Sequence, residues 1–458
     1  MKLLGAVSLA LYAGQTIAHA DPDAGIPVPR LAGARRFLRE FKGDRRWEQG
    51  TRSAAAARPR ERRHVDDLEE RGNIKERQNT SGRCGGRYGS CAQGYCCSYE
   101  GYCGLGQEYC ESPDCQINYG SGCDGNQKPS GTDTSNIARP KIGDVPYGGV
   151  GIYDCVNDGD IALTFDDGPW DYTADLLDKL ATYQAKATFF ITGTNLHKGQ
   201  INDPSTPWPS VIQRMAAEGH QIASHTWSHE NYSQLTTAQF EDQIYWNEIA
   251  LNDILGYFPT YMRPPFSICP TRTCGAQLAT FGYHVIYFDL DTEGYLHDDP
   301  TEIQVSKDIW DDAVPGTNPC RTNYLQIEHD IHYQTVYNLT DYFLTSLFES
   351  GYRAVTVGQC LGDPPENWYR AGSKPVPSYT FTPRPATGTW SCLTPTSTST
   401  GPTPSGSLQV SIDGSCGNGF TCDGSEFGNC CSQYSYCGST DDYCLNDCQL
   451  EFGSGCRV

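Results

Sequence analysis

The chain has 458 residues, more than one typical domain holds, so roughly two to four folded units are expected. Its formal net charge of −21 excludes a nucleic-acid-binding surface, which needs the opposite sign. Twenty-two cysteines, an even number, point to an oxidising compartment where thiols pair, and away from a cytosolic zinc scaffold.

Residues 1–20 read as a signal peptide: Lys2 precedes an apolar run from Leu3 to Ala13, and Ala18-His19-Ala20 carries small residues where a signal peptidase cuts. No other stretch approaches the roughly 20 apolar residues of a membrane helix, so a secreted protein, extracellular or cell-wall associated and without a membrane span, is expected. Residues 21–80 are rich in Arg, Glu and Ala and read as a processed pro-segment or disordered basic region. Asn79, Asn231 and Asn338 stand in N-x-S/T sequons. Eight cysteines from Cys84 to Cys123 recur as eight from Cys416 to Cys456 with nearly the same spacing. That is an internal repeat, and it marks two copies of one small stapled module, at 81–124 and 408–458. Pro, Ser, Thr and Gly enrich two linkers, 125–144 and 364–407.

Between the linkers, residues 145–363 alternate strand and helix patterns. Ile161 to Phe165, Ala187 to Thr192 and Gln221 to Ser224 read as buried strands. Thr173 to Tyr183, Trp208 to Glu218 and Thr236 to Leu255 carry helical spacing, with Gly219 and Gly256 as stops. A helix near Ala276 and strands at His284 to Phe288, Tyr324 to Ile327 and Tyr352 to Val357 follow. This predicts an α/β, barrel-like domain with its chemistry at the carboxyl ends of the strands.

Four segments at such ends carry reactive groups. Thr164-Phe165-Asp166-Asp167-Gly168-Pro169 sets two carboxylates side by side, one free to hold a metal while the other faces substrate. His225 and His229 are spaced i, i+4, so one helical turn would align them. With an aspartate they make an open catalytic metal set of two nitrogens and one oxygen. In Arg263-Pro264-Pro265-Phe266 the prolines fix the backbone and can present the Phe266 amide to an oxyanion. His329, just past the strand Leu325 to Ile327, is an acid-base candidate. His220 and His284 beside apolar strand starts are expected to be structural.

Together these segments resemble the polysaccharide deacetylase family, a carbohydrate esterase family with the NodB homology domain. Its motifs run in order from about Asp160 to Gly362: T-F-D-D-G-P in full, H-S/T-x-x-H at His225 to His229, R-x-P-Y/F at Arg263 to Phe266, and the last strand with its H-D at Leu325 to Asp330. The fourth motif departs: the family's D-x-x-D/N-W/Y reads Asp291-Thr292-Glu293-Gly294-Tyr295, with glycine in place of the second acid or amide. The resemblance implies a distorted, incomplete (β/α) barrel and one Zn²⁺, Co²⁺ or other divalent ion per catalytic domain on Asp167, His225 and His229. It also implies Asp166 as base oriented by Arg263, the Phe266 amide as oxyanion donor, His329 as acid, Tyr295 as an apolar wall, and Asp291 (or Asp289) as the support of His329.

The terminal modules resemble hevein-type chitin-binding modules. That resemblance implies the pairs Cys84–Cys97, Cys91–Cys103, Cys96–Cys110 and Cys115–Cys123, and in the second copy Cys416–Cys431, Cys422–Cys437, Cys430–Cys444 and Cys448–Cys456. It implies sugar contacts at Ser98, Tyr102 and Tyr109, and at Ser432, Tyr434, Tyr436 and Tyr443. Glu100 stands where an aromatic is expected, which predicts weaker binding by the first module. For the remaining cysteines the expectation is Cys155 with Cys360, Cys269 with Cys274 and, by elimination, Cys320 with Cys392. Two functions of different class follow: a secreted, monomeric deacetylase that converts chitin or its oligomers to chitosan and acetate, or a bivalent chitin-binding protein with an inactive centre. Peptidoglycan and acetylated xylan are substrate alternatives within the family. The acidity serves solubility or attraction to a polyamine product.

Overall fold

Asp160–Asp166 is buried along its whole length, as its apolar run requires of a strand covered on both faces. This strand, β1, is the axis of the catalytic domain in a computed structural model that describes residues 82–269, 272–379, 381–386, 408–411, 414, 416, 417, 420–432, 436–445 and 448–456. The signal peptide, the pro-segment with Asn79, Tyr434 and Cys392 lie outside the described residues. By internal contacts the chain divides into two units, Met1–Cys392 and Leu393–Val458.

After β1 come α1 (Thr173–Tyr183), β2 (Thr188–Ile191), α2 (Trp208–Ala217), β3 (Gln221–Ser224) and α3 (Thr237–Leu255). A capping box between Thr236 and Gln239 starts α3, and Gly256, at φ 91°, ends it in the left-handed conformation that glycine adopts freely. There follow β4 (Tyr257–Pro259), β5 (Tyr261–Met262), α4 (Arg272–Thr280), β6 (His284–Val285) and β7 (Leu290–Asp291). The domain continues through α5 (Gln304–Ala313), β8 (Tyr324–His329), α6 (Thr340–Glu349), β9 (Arg353–Val355) and β10 (Tyr369–Ala371).

The parallel sheet runs β6-β5-β3-β2-β1-β8-β7, with β9 pairing the start of β1. It is a curled, open barrel. Parallel strands put all their carboxyl ends on one rim, so Asp166, His225, Arg263, Asp291 and His329 converge there from five strands. Two strand expectations were too long. The strand read at His284 to Phe288 stops at Val285, because the chain then leaves one sheet edge for the other: Ile286 N still donates to Met262 O, whereas Asp289 N donates to Leu325 O. The strand read at Tyr352 to Val357 stops at Val355, where the Thr356 hydroxyl caps a short helix, Val357–Cys360.

The segments read as linkers contribute to this domain. Within 125–144, Thr134 Oγ1 and Arg139 reach Glu248 of α3, and the guanidinium meets both carboxylate oxygens at 2.7 and 2.6 Å. Tyr283 Oη donates to the same carboxylate. Within 364–407, Trp368 and Tyr369 are buried and β10 pairs antiparallel with β4. Composition rich in Pro and Gly resembles a spacer, but irregular chain becomes a fixed strap once its side chains satisfy buried partners on the domain. Replacing Arg139 with Met would strand the buried Glu248 charge, so Arg139→Met is expected to lose about 3–5 kcal/mol of stability in chemical unfolding. A mobile linker would give no change.

The stapled modules are short strands held by disulfides: Cys84–Cys97, Cys91–Cys103, Cys96–Cys110 and Cys115–Cys123 in the first, and Cys416–Cys431, Cys422–Cys437, Cys430–Cys444 and Cys448–Cys456 in the second. Cys155 is joined to Cys360 and Cys269 to Cys274. Among the described residues, no helix is long and apolar enough to cross a membrane.

Candidate metal centre

Asp167, at the end of β1, and His225 and His229, after β3, are buried with one ligand atom from each lying within 4.8 Å of the others. His229 Nε2 is 3.2 Å and His225 Nε2 3.6 Å from Asp167 Oδ1. That oxygen is buried with no hydrogen-bond partner, which suits a cation-binding atom. His225 Nδ1 lies 2.7 Å from the Arg263 carbonyl oxygen, an acceptor only, so Nδ1 carries the proton and Nε2 presents its lone pair to the site. Burial pushes both imidazoles down, His225 far below its ordinary value, and neutral imidazole is the ligating form. Burial alone would raise Asp167, but the positive charge that His229, His225 and His329 take on as the pH falls, with the Lys198 ammonium, outweighs it and holds the carboxyl at about 2. A neutral pair of nitrogens and an ionised oxygen fit a divalent ion such as zinc.

The two histidines do not share a helix turn, contrary to the spacing argument. The segment from His225 to Glu230 is a loop in which Thr226 (φ 73°) and His229 (φ 57°) are left-handed. Gly193 N donates to Thr226 O, Thr194 N to Trp227 O, and Ser228 N to Gln243 Oε1, and these bonds fold the loop so that both rings face Asp167.

Asp166 Oδ1 receives Arg263 Nη1 at 2.7 Å, and its Oδ2 lies 3.6 Å from His225 Nε2. Arg263 is wholly buried. It also donates to Thr164 Oγ1, Ile286 O and Tyr287 O and lies over the Phe190 ring. Burial raises Asp166 most, Arg263 opposes it, and the neighbouring Asp167 raises it again, to about 7. Phe266 (φ 57°) sets its ring edge-on to His229, centroids 4.4 Å apart. Asp166, Asp167, His225, His229, Tyr295 and His329 line a cavity of about 40 Å³. A single water needs roughly 10–15 Å³, so the space takes a group of a few non-hydrogen atoms.

His329 Nδ1 is buried without a hydrogen-bond partner, and burial pushes the ring down to about 3. Neither acid named from the sequence supports it. Asp291 accepts from Glu293 N and Tyr295 Oη, and Asp289 accepts from Leu325 N. Tyr295 packs edge-on against the His329 ring, centroids 5.3 Å apart. A Cβ on Gly294 would fall 2.3 Å from Glu328 Oε2. Glu328 is itself held by the hydroxyls of Thr292 and Thr335. Glycine at the fourth motif therefore makes room for a carboxylate that arrives from β8.

Lys198 was not read from the sequence. Its buried Nζ donates to the carbonyls of Asp167 and Gly168, at 2.9 Å each, and to Thr192 Oγ1 at 2.8 Å, directly behind the ligand aspartate. Burial lowers it to about 7, while Asp330 and Asp167 pull the other way. It lies in an irregular loop outside every motif; the only signal was a lysine among apolar and small residues.

In the first module Ser98 is buried and its Oγ accepts from Tyr102 N, while Tyr102 is exposed with the Arg83 guanidinium 4.2 Å from its ring centroid. In the second, Ser432 is buried with the same bond from Tyr436 N, and Tyr436 is the more exposed ring at 57%. Tyr109 and Tyr443 are half-buried, packed on Gly104 and Gly438 where no Cβ would fit.

Residues 153–286 match the family model for polysaccharide deacetylase. A chitin deacetylase of Pestalotiopsis sp. is 38% identical over 326 residues, 71% of this chain and 96% of that one. A probable peptidoglycan-N-acetylglucosamine deacetylase of Arthroderma benhamiae is 40% identical over 247 residues, 53% of this chain and 52% of that one. The solved structure of the chitin deacetylase from the fungal pathogen Colletotrichum lindemuthianum is 39% identical, spans 50% of this chain and 97% of that one, and superposes with a TM-score of 0.46.

The packing of Gly294 on Glu328 makes a separable prediction. Gly294→Ala should cost about 1–3 kcal/mol in chemical unfolding, through overpacking. Combined with Glu328→Ser it should lose less than the sum of the two single changes, and strict additivity would show that the two sites do not touch.

Proposed function

The chain belongs to the polysaccharide deacetylase family, and from that premise we propose that it is a secreted, metal-dependent chitin deacetylase. It would hydrolyse the N-acetyl groups of chitin or its oligomers to free amine and acetate. The carrying observation is the convergence of an unpartnered Asp167 oxygen, two neutral imidazoles, Asp166 and His329 on one small cavity. An ion held by Asp167, His225 and His229 would supply Lewis-acid chemistry, acidifying a water and polarising the amide carbonyl.

The chain's own groups account for the rest. Arg263 holds one oxygen of Asp166, which leaves the other to take the proton from the attacking water. As water adds to the acetyl carbon, the Phe266 amide is the donor assigned to the developing oxyanion. The C–N bond breaks once the nitrogen is protonated, and His329 is the acid for that step. Burial keeps His329 uncharged in the free protein, so the proton it delivers is taken up from solvent once the negative tetrahedral centre raises its affinity, while Asp166 keeps the water's proton until acetate leaves. In this reading the acetamido group enters the cavity, which Tyr295 and His332 also line.

The modules favour chitin over peptidoglycan or xylan as the polymer, with Tyr436 as the exposed stacking ring of the second module and Ser432 buried beneath it. Disulfides throughout the described residues support export to an oxidising compartment. The test is acetate release from chitin oligomers. Asp166→Asn is expected to lower kcat at least 100-fold, and chelation to abolish release until zinc or cobalt is returned. Chitin binding without release by the parent protein would instead assign a binding function. Removing residues 408–458 is expected to lower the rate on insoluble chitin several-fold while sparing short oligomers, because it removes only local concentration. Equal losses on both substrates would refute the tether.

A further inference from the structure

The N-terminal module does more than grip polymer. Its edge from Ser112 to Cys123, with Gly125 just beyond its end, packs on the turn that carries His229 and on the turn that carries Lys198, behind Asp167. The Ser112 carbonyl accepts a hydrogen bond from Leu196 N at 2.9 Å, two residues before Lys198. A Cβ on Gly125 would lie 2.7 Å from Ser228 Oγ, the residue before His229, and 3.0 Å from Ser112 Oγ. Farther out, Gln239 Nε2 donates to Asn118 Oδ1 at 2.7 Å, and Leu235 packs against the module's Ile117 cluster as well as the catalytic domain's Phe240 cluster.

Both turns are strained. Leu196 (φ 49°), His197 (φ 61°), Thr226 (φ 73°) and His229 (φ 57°) are non-glycine residues in the left-handed region. Such conformations persist only where the surroundings over-determine them. On the catalytic side the surroundings are Thr192, Gln243 and the carbonyls that Lys198 binds; on the other side they are the module.

We propose that the Ser112–Gly125 edge of the N-terminal module is a positioning element of the metal centre, holding the Thr226–His229 turn, which carries a ligand, and the Leu196–Lys198 turn, whose lysine backs the ligand aspartate. This rests on the metal-site assignment but not on the deacetylase activity. A side chain at Gly125 would push the Ser228 hydroxyl off its bonds with Gln243 and Glu230, one residue before His229.

The test uses the full chain. Gly125→Val wedges the contact from the module side, and Leu235→Asp puts a charge into it from the catalytic side. In each variant that unfolds cooperatively, zinc affinity measured against a chromophoric chelator is expected to fall about tenfold, the range seen when outer partners of a ligand are lost. The visible absorption bands of the cobalt-loaded protein should shift, a signature that a module acting only as a sugar grip would not move. Linkage runs both ways, so in the unmutated protein zinc should slow amide hydrogen exchange across residues 112–125. Parental zinc affinity and cobalt spectrum in a folded variant would overturn the proposal, as would exchange across that edge that zinc leaves unchanged. A protein that binds zinc but releases no acetate would refute the deacetylase assignment and leave this test standing.

Discussion

A guanidinium buried to zero exposure inside the curl of a parallel sheet is the constraint on which the rest of the site depends. An unpaired buried cation is too costly to persist, so Arg263 must find both an anion and a full set of acceptors. Asp166 supplies the charge, and Thr164, Ile286 and Tyr287 supply the remaining oxygens. These partners come from β1 and from the chain that crosses between the sheet edges, so one side chain ties the opening of the barrel to its central strand. Its own carbonyl then fixes the His225 tautomer. Neutralising Arg263 would therefore disturb the base, a ligand and the closure of the fold together.

What the sequence made legible was what sits at strand ends in short, chemically dense segments. Asp166, Asp167, His225, His229, Arg263 and His329 could be named because their neighbours are apolar runs that must be strands. Helix α1 was read to its last residue, because Leu176, Leu177 and Leu180 mark its buried face. The features missed depend on contacts between distant segments. Lys198 satisfies carbonyls some thirty positions away, and nothing in its own loop advertises them. Thr134 and Arg139 look like spacer until they are seen to pair the buried Glu248 on α3. The i, i+4 histidines suggested a helix turn, but hydrogen bonds from Gly193, Thr194 and to Gln243 bend them into a loop that spacing cannot reveal.

The exchange at the fourth motif shows how a local departure can be absorbed without emptying the site. Gly294 gives up a polar side chain, and the Glu328 carboxylate takes the space it would need. Two threonine hydroxyls satisfy that carboxylate, and burial raises its affinity for a proton despite them. What is not replaced is a partner for His329 Nδ1. The imidazole is instead oriented by packing against Tyr295, which fixes its plane but does not stabilise its charge.

That difference bears on how two adjacent carboxylates take separate tasks. Asp166 and Asp167 are equally buried, and burial pushes both upward, yet one settles at about 7 and the other at about 2. Asp167 faces three imidazoles, whose charge on protonation resists its own, and behind it the Lys198 ammonium, so its ionised form is favoured and suited to a ligand. Asp166 has only Arg263 to set against its desolvation, and Asp167 itself works against it, so it can release and recover a proton near neutrality. Residue identity is the same at the two positions, and the tasks diverge because alternate side chains at a strand end meet different surroundings.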